Sequence, residues 1–488
     1  MQVTIQTKII DKKSISYLER VCEEIGGLRS LLLRDILQNK NINDLKKQYI
    51  SEYGLMARQF NSLSNEVRGS IKSAKELKKL HIKETKSRLE AQKKSLKKLH
   101  KKLKNLQNSK KTSEQKREIK RDLLFKIHHK NRKLVRTQHI LEQQKNKDIS
   151  ICLGGKKLFL AQYHLKENGY KNHQKWLATW QEKRNNRVFC IGSKDEKLGN
   201  QNCQLLIDHI QLRIPPCLEE EFGKYIQIPV EFTYNEKIIQ YAIKKNQAIN
   251  YRFARKNNQW YVFLTTKRPP VEKTTNKKLG AIGVDINKAH LAWGEINRHG
   301  NVISFGKIPV LVQERTSNQI SASFGEAVKQ IVEYAKKQQK PIVVENLDFS
   351  HKKTQFALYP KQYRRMLSHF AYAKFFSILC SKAYREGVEV IKVNPAFSSL
   401  IGFFKFAVVY GISVHIAAAI VLARRGLWFS EFVPSRTAQC LAVHRHWHVW
   451  KKWRKLYNAV SDREKRVDII SRLVPSRGSP ELHLSSYS

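Results

Sequence analysis

Two short apolar runs, each closing on a carboxylate, constrain this chain more than any other feature. Residues 279–287 read Leu-Gly-Ala-Ile-Gly-Val-Asp-Ile-Asn, and residues 341–348 read Pro-Ile-Val-Val-Glu-Asn-Leu-Asp. Runs this short and this apolar predict buried strands rather than helices. Between them the pattern predicts a second strand over 290–296, a turn at 298–301, a third strand over 302–305 and a helix over 320–338. Strand, hairpin, helix, strand is the opening of an α/β sheet, with Asp285 and Glu345 at the ends of its two buried strands. Burying a carboxylate beside core strands is costly unless something compensates it. Either residue alone reads as a strand-end acid paired with a lysine. Together, in this order of elements, they point to a site for a hard divalent cation, Mg²⁺ or Mn²⁺, whose preferred ligands are oxygens. A third ligand is expected from a helix after one further strand. That strand is predicted over 387–393 and the helix over 411–425, with Ser413 as N-cap and His415 in the first turn. A lone helix histidine more often packs against a backbone carbonyl, so His415 stands only in the company of the two acids.

The charge balance names the class of partner. Among 488 residues, 92 Lys and Arg face 41 Asp and Glu, a formal net charge of +51. A chain so charged repels itself unless a polyanion neutralises it, and nucleic acid is the first candidate, ahead of an anionic membrane surface. No apolar run is long enough to predict a membrane-spanning helix. The first ten residues alternate like a strand and lack the apolar centre of a secretion signal, so a cytoplasmic, nucleoid-associated protein is expected. Seven scattered cysteines without a Cys-x-x-Cys pair predict neither a disulfide frame nor a cysteine zinc site.

The charge is unevenly spread. Residues 14–147 lack proline and read as helical. Ile82, Leu89, Leu96 and Leu103 recur every seven residues, Leu99 and Leu106 add the second seam position, and Ile127, Leu134 and Leu141 resume the spacing after a break near 108–113. This predicts an antiparallel helical hairpin, its return capped at Thr112 with Gln115. Residues 72–147 carry 27 Lys and Arg against 7 Asp and Glu, so the hairpin reads as a backbone-binding face that includes Lys97, Lys98, Lys101 and Lys102. From 149 to 273 the texture is β-rich, over 151–160, 187–191, 204–214, 226–234 and 248–266. Aromatic and basic residues interleave there, at Lys175-Trp176, Tyr251-Arg252-Phe253-Ala254-Arg255 and Trp260-Tyr261, as in stacking platforms beside phosphates. Residue by residue these aromatics fit the core of an ordinary small barrel better than a platform. Arg364-Arg365 and Arg424-Arg425 are further candidate phosphate contacts.

Four stretches carry a family resemblance: Gly283-Val-Asp285-Ile-Asn; Val344-Glu345-Asn-Leu-Asp348-Phe; Val393-Asn-Pro-Ala-Phe-Ser-Ser399-x-x-Gly402; and Tyr410-Gly-x-Ser413-x-His415-x-Ala-Ala-Ala-x-Val-x-Ala-Arg-Arg425. In this order they resemble the RuvC-like domain of the transposon-encoded TnpB (OrfB) family, nearest its branch of TnpB-related accessory proteins, and so are similar to type V CRISPR effectors. The resemblance implies a multidomain α+β chain. A wedge-like, OB-like β-barrel would span 1–13 and 149–275, a basic helical recognition lobe 14–148, a ribonuclease-H-like (RuvC) α/β domain 276–434 and a basic tail 435–488. It implies an RNA-guided DNA endonuclease that takes a guide RNA, double-stranded DNA and Mg²⁺ or Mn²⁺, with a partner transposase of the same element. Asp285 and Glu345 match the family's first two carboxylates. The third motif usually presents Asp; here His415 stands in that place and Ser413 where an earlier Asp often stands. The family's zinc knuckle has no counterpart, since 399–410 holds no cysteine, so no zinc is expected. The alternative is a nuclease-inactive, RNA-guided DNA-binding protein acting as a repressor or accessory factor. A generic RNA-binding coiled coil leaves the ordered motifs after Leu279 unexplained.

Overall fold

The computed structural model describes residues 1–108, 112–287, 289–311, 315–346, 369–435 and 446–461. The chain divides into two compact units, Met1–Pro270 and Val271–Ser488.

Among the described residues the first unit holds seven strands: β1 (Gln2–Ile9), β2 (Arg187–Cys190), β3 (Cys203–Leu205), β4 (His209–Arg213), β5 (Tyr225–Pro229), β6 (Asn250–Lys256) and β7 (Gln259–Lys267). They form two antiparallel sheets, ordered β1-β7-β6-β2 and β3-β4-β5. The expected barrel is thereby corrected, because neither sheet closes among the described residues. The inner faces are buried by covering instead. Val3, Ile5 and Ile9 of β1, Tyr251 and Phe253 of β6, and Ile210 and Leu212 of β4 share one core with Leu18, Val21, Leu28 and Leu32 of helix α1 (Lys12–Leu37). The β6–β7 turn is tight because Asn257 and Asn258 both adopt positive φ, which asparagine tolerates best after glycine.

Helices α2 (Ile42–Ser51), α3 (Ala57–Gln107) and α4 (Ser113–Asn146) follow the helical reading. The two halves of α3 differ. Phe60, Leu63, Val67 and Ile71 enter the unit's core, whereas beyond Ile71 the buried positions are sparse and face α4, where Leu123, Ile127 and Leu141 line the seam. Thr112 is the N-cap of α4, but its side chain makes no capping hydrogen bond. The strand expected over 151–160 is absent. Gly154 and Gly155 take φ of 87° and 100°, and a short helix, Lys156–Leu160, follows. It packs near α5 (His173–Arg184), whose Trp176 and Trp180 form a small separate core. A further amphipathic helix, α6 (Glu236–Lys244), buries Ile239 and Ala242.

Among the described residues the second unit is built on five strands: β8 (Ala281–Ile286), β9 (His290–Ile296), β10 (Val302–Pro309), β11 (Ile342–Glu345) and β12 (Val390–Val393). Their order is β10-β9-β8-β11-β12. β9 runs antiparallel to β8 and β10, while β11 runs parallel to β8 and β12. This is the mixed order expected of a ribonuclease-H-like sheet. One face carries Ile282, Val284, Ile342 and Val344 against Phe324, Val328 and Ile331 of α7 (Ser317–Lys337) and Phe375 and Leu379 of α8 (His369–Arg385). The other face carries Ala281, Ala292 and Val343 against α9 (Val414–Gly426) and α10 (Val449–Ser461). Among the described residues no single helix is long and apolar enough to cross a membrane. The bent pair Ser398–Tyr410 and Val414–Gly426 is apolar enough by composition, and α9 spends its apolar surface on the sheet.

Candidate active site at the ends of β8 and β11

Side chains alternate across a strand, and that alternation aims the two acids. Ile282 and Val284 point to the α7 face, so Asp285 takes the α9 face; Ile342 and Val344 do the same for Glu345. Val344 lies opposite Val284 in the parallel register, which sets Glu345 beside Asp285 on neighbouring strand ends.

The third group arrives through close packing of backbone on backbone. A Cβ on Gly283 would lie 1.8 Å from the Ala419 carbonyl oxygen, and one on Gly294 2.5 Å from Ile420 Cγ1. These glycines let α9 settle directly onto β8 and β9. One turn before Ala419 is His415, and two residues beyond Gly283 is Asp285. The result is a contact of 3.0 Å between His415 Nδ1 and Asp285 Oδ2. Ser413 caps the helix as its sequence position suggests, accepting from the Ile416 N–H at 3.5 Å. The Asp285 side chain is 13% exposed and that of His415 46%, so the pair is open to solvent on the histidine side. With its proton on Nδ1 the imidazole donates to Asp285 and keeps Nε2 as a lone-pair donor.

Three further residues frame the pair. Ser398 donates its hydroxyl to Glu345 Oε1 at 3.1 Å, and the Tyr372 hydroxyl donates to the Glu345 carbonyl. Burial, and then the charges of Glu345 and Asp285, push the Tyr372 hydroxyl pKa up, so it stays a protonated donor. His290, at the start of β9, sets its ring edge-on to His415 with centroids 5.6 Å apart. Burial lowers the His290 pKa, with further lowering from His415 and Lys307, which favours the neutral ring. Sequence reasoning missed all three. Ser398 lay inside a quoted motif, but no residue pattern carried its hydrogen bond to a neighbouring strand. His290 was legible only as the residue that follows the β8–β9 turn.

The other candidates are divided. Lys97, Lys98, Lys101 and Lys102 are exposed on α3, and Arg252 is exposed with its guanidinium 4.5 Å from the Phe263 ring centroid. Trp260 is not a stacking platform: it is 3% exposed in the core of the first unit. Trp176 is buried likewise, donating its indole N–H to the Leu158 carbonyl at 2.8 Å. Arg255 is shared between Glu19 and Glu182 at 3.3 and 3.4 Å. Arg424 is a fastening, not a phosphate contact, since it binds the buried Glu431 and the Gly300 carbonyl. Arg425 donates to the carbonyls of Asn394 and Ala396 at 2.6 and 2.8 Å, and burial lowers its pKa. Pattern could not separate these cases, because a basic residue beside an aromatic looks alike in a core rim and on a binding face. Arg364, Arg365 and Asp348 lie outside the described residues.

The donor types suit a hard divalent ion: two carboxylates on one face and an imidazole in contact with one of them. Among the described residues no three His, Cys, Asp or Glu side chains are drawn together closely enough to hold an ion by themselves.

No family model matches the chain, and no curated protein matches it. Solved structures do. A Cas12f1–sgRNA–target DNA complex is similar at 11% identity and TM-score 0.35, covering 87% of this chain and 98% of the other. T. thermophilus RuvC in complex with a Holliday junction substrate is similar at 14% identity and TM-score 0.23, covering 30% of this chain and 90% of the other. A CRISPR-Cas12f ternary complex is similar at 11% identity and TM-score 0.21, covering 86% and 98%.

Proposed function

We propose that this chain is a metal-dependent nuclease of the RuvC kind that cuts DNA under the guidance of an RNA, working at the nucleoid. One observation carries the reading: His415 of α9 meets Asp285 at 3.0 Å on the sheet face that also carries Glu345. A histidine turned away from Asp285 would have favoured a protein that binds without cutting. Asp285 and Glu345, with His415, would hold Mg²⁺ or Mn²⁺, which when bound supplies a nucleophilic water and neutralises charge on the scissile phosphate. The 3.0 Å contact turns the ring of His415 toward Asp285. Ser398 holds the carboxylate of Glu345, and Tyr372 ties its backbone to α8. The exposed lysines of the α3–α4 hairpin suit a duplex backbone read by shape and charge, with guide pairing supplying sequence.

A guided binder without nuclease activity is the second reading, favoured by the imidazole at a position where a third carboxylate would add negative charge. The deciding experiment is cleavage of target DNA by the protein purified with its co-expressed RNA, in Mg²⁺ and in Mn²⁺, beside Asp285→Ala and His415→Ala. The nuclease reading expects RNA-dependent cutting that falls by about a hundred- to a thousandfold in each variant, the scale of losing an interaction made in the transition state. RNA-dependent binding with no cutting in either metal leaves the binder.

A further inference from the structure

After α9 the chain alternates in exposure over residues 427–433. Phe429, Glu431 and Val433 turn inward. Phe429 packs against Arg424, with 4.9 Å from guanidinium carbon to ring centroid. Glu431 is 4% exposed; its carboxylate takes both Lys405 and Arg424, and its carbonyl accepts the Trp453 indole N–H at 2.6 Å. The inward side is therefore held from three directions. The outward side carries Trp428 at 87% and Phe432 at 65% exposure.

Trp428 is expensive where it stands. It ends α9 with φ of 69°, its N–H bonded to the Arg425 carbonyl and the Phe429 N–H to that of Arg424, each at 3.0 Å. Helices that end this way select glycine, because a Cβ is strained in the left-handed region. A tryptophan there gains almost no burial within the fold to offset the strain. The surroundings indicate what it meets. α10 touches this segment through Trp453; Lys452 and Arg454 flank that residue in sequence, Lys451 and Lys455 lie over the Trp447 ring at 4.1 and 5.1 Å, and residues 449–461 contain no Asp or Glu. Exposed aromatic faces on a segment held against a helix that bears cations and no acids suit bases that stack while their phosphates meet the charge.

We infer that Trp428, together with Phe432, is a stacking platform for the unpaired bases of a single-stranded nucleic acid whose backbone faces the cations of α10. The inference rests on the nucleic-acid reading above, and the test separates their failures. Binding of labelled single-stranded oligothymidine, and of an abasic strand with the same number of phosphates, is measured by fluorescence anisotropy in EDTA for the intact protein, Trp428→Gly, Trp428→Phe and Phe432→Ser. Trp428→Gly is expected to weaken oligothymidine binding by about 5- to 100-fold, the range for one lost stack. Its binding to the abasic strand should stay unchanged, and its Tm should stay the same or rise, since glycine relieves the strained φ. Trp428→Phe keeps most of the affinity, and Phe432→Ser shows a smaller loss of the same kind. Equal binding by the intact protein and Trp428→Gly overturns the inference. So does an equal loss on the abasic strand, or a fall in Tm, which would mark a packing role. Self-association abolished by Trp428→Gly would assign the surface to a second copy instead. If the intact protein binds neither strand, the nucleic-acid reading itself fails.

Discussion

The helix α9 and the α3–α4 hairpin use opposite means to stay in place. α9 is buried on nearly every side from Ile416 to Ala423, and it reaches the sheet by backbone contact at Gly283 and Gly294. Outside α9 itself, a few glycines, alanines and one capping serine fix where His415 points. The hairpin meets its partner along a narrow seam, with Leu123, Ile127, Thr137 and Leu141 the buried positions of α4, and leaves its lysines in solvent. Its fold rests on periodicity repeated over many turns, so no single residue decides it. The difference teaches where function is brittle. A site that depends on one close approach fails when that approach is blocked, whereas a charged face loses its grip in small, additive steps.

The largest effect should follow from blocking the approach. Gly283→Ala puts a methyl group into the Ala419 carbonyl, and overpacking of this kind costs about 3 kcal/mol. Thermal melting should show the loss of stability, and cleavage should disappear with it as His415 is displaced from Asp285. A variant with normal Tm and normal cutting would mean that α9 does not need that contact. On the hairpin, replacing Lys97, Lys98, Lys101 and Lys102 together by Gln should leave Tm unchanged. It should reduce the slope of log K against log salt by about 3, at roughly 0.7–0.9 for each phosphate no longer neutralised. An unchanged slope would remove the hairpin from the binding face. A smaller effect of opposite sign tests the same comparison within the second unit. Gly325 lies inside α7, and a methyl group added there would meet nothing within 4 Å, so Gly325→Ala should stabilise by about 0.5–1 kcal/mol, readable in a urea melt.

The smallest effect is one of pH. Asp11 caps α1, and hydrogen bonds from the Ser14 hydroxyl and then the Ser14 N–H hold its carboxyl below the ordinary carboxylate range. The folded state thus binds that proton less tightly than the unfolded chain. The stability it contributes is complete above the ordinary carboxylate range and is lost as pH falls through the folded value. Asp11→Asn keeps an acceptor for the cap and should lose stability relative to the parent at neutral pH but not in acid. An equal difference at both pH values would assign the effect to the cap bond alone.

Much of the second unit was legible in the residues alone. Short apolar runs at 281–286 and 342–345 became strands because so few residues can be wholly apolar without being buried, and alternation then fixed which face their acids take. Ser413 capped its helix because a serine at that position competes for a free N–H that no carbonyl reaches. The first unit was less legible. Its aromatics read as platforms and its strands as a barrel, since alternating strands report one buried face and not what covers it. Two glycines at positive φ turned an expected strand at 151–160 into a loop and a helical turn.

The sequence by itself determined the charge, the helical hairpin and the strand ends bearing Asp285 and Glu345, all of which follow from composition or from local period. Only the tertiary structure decided that His415 faces Asp285, that Ser398, Tyr372 and His290 surround them, that Arg424 and Arg425 are spent inside the fold, and that Trp428 stands in solvent. The reason is range. Period and propensity act between neighbours along the chain, whereas His415 and Asp285 lie 130 positions apart and meet through the backbone spacing of a helix on a sheet.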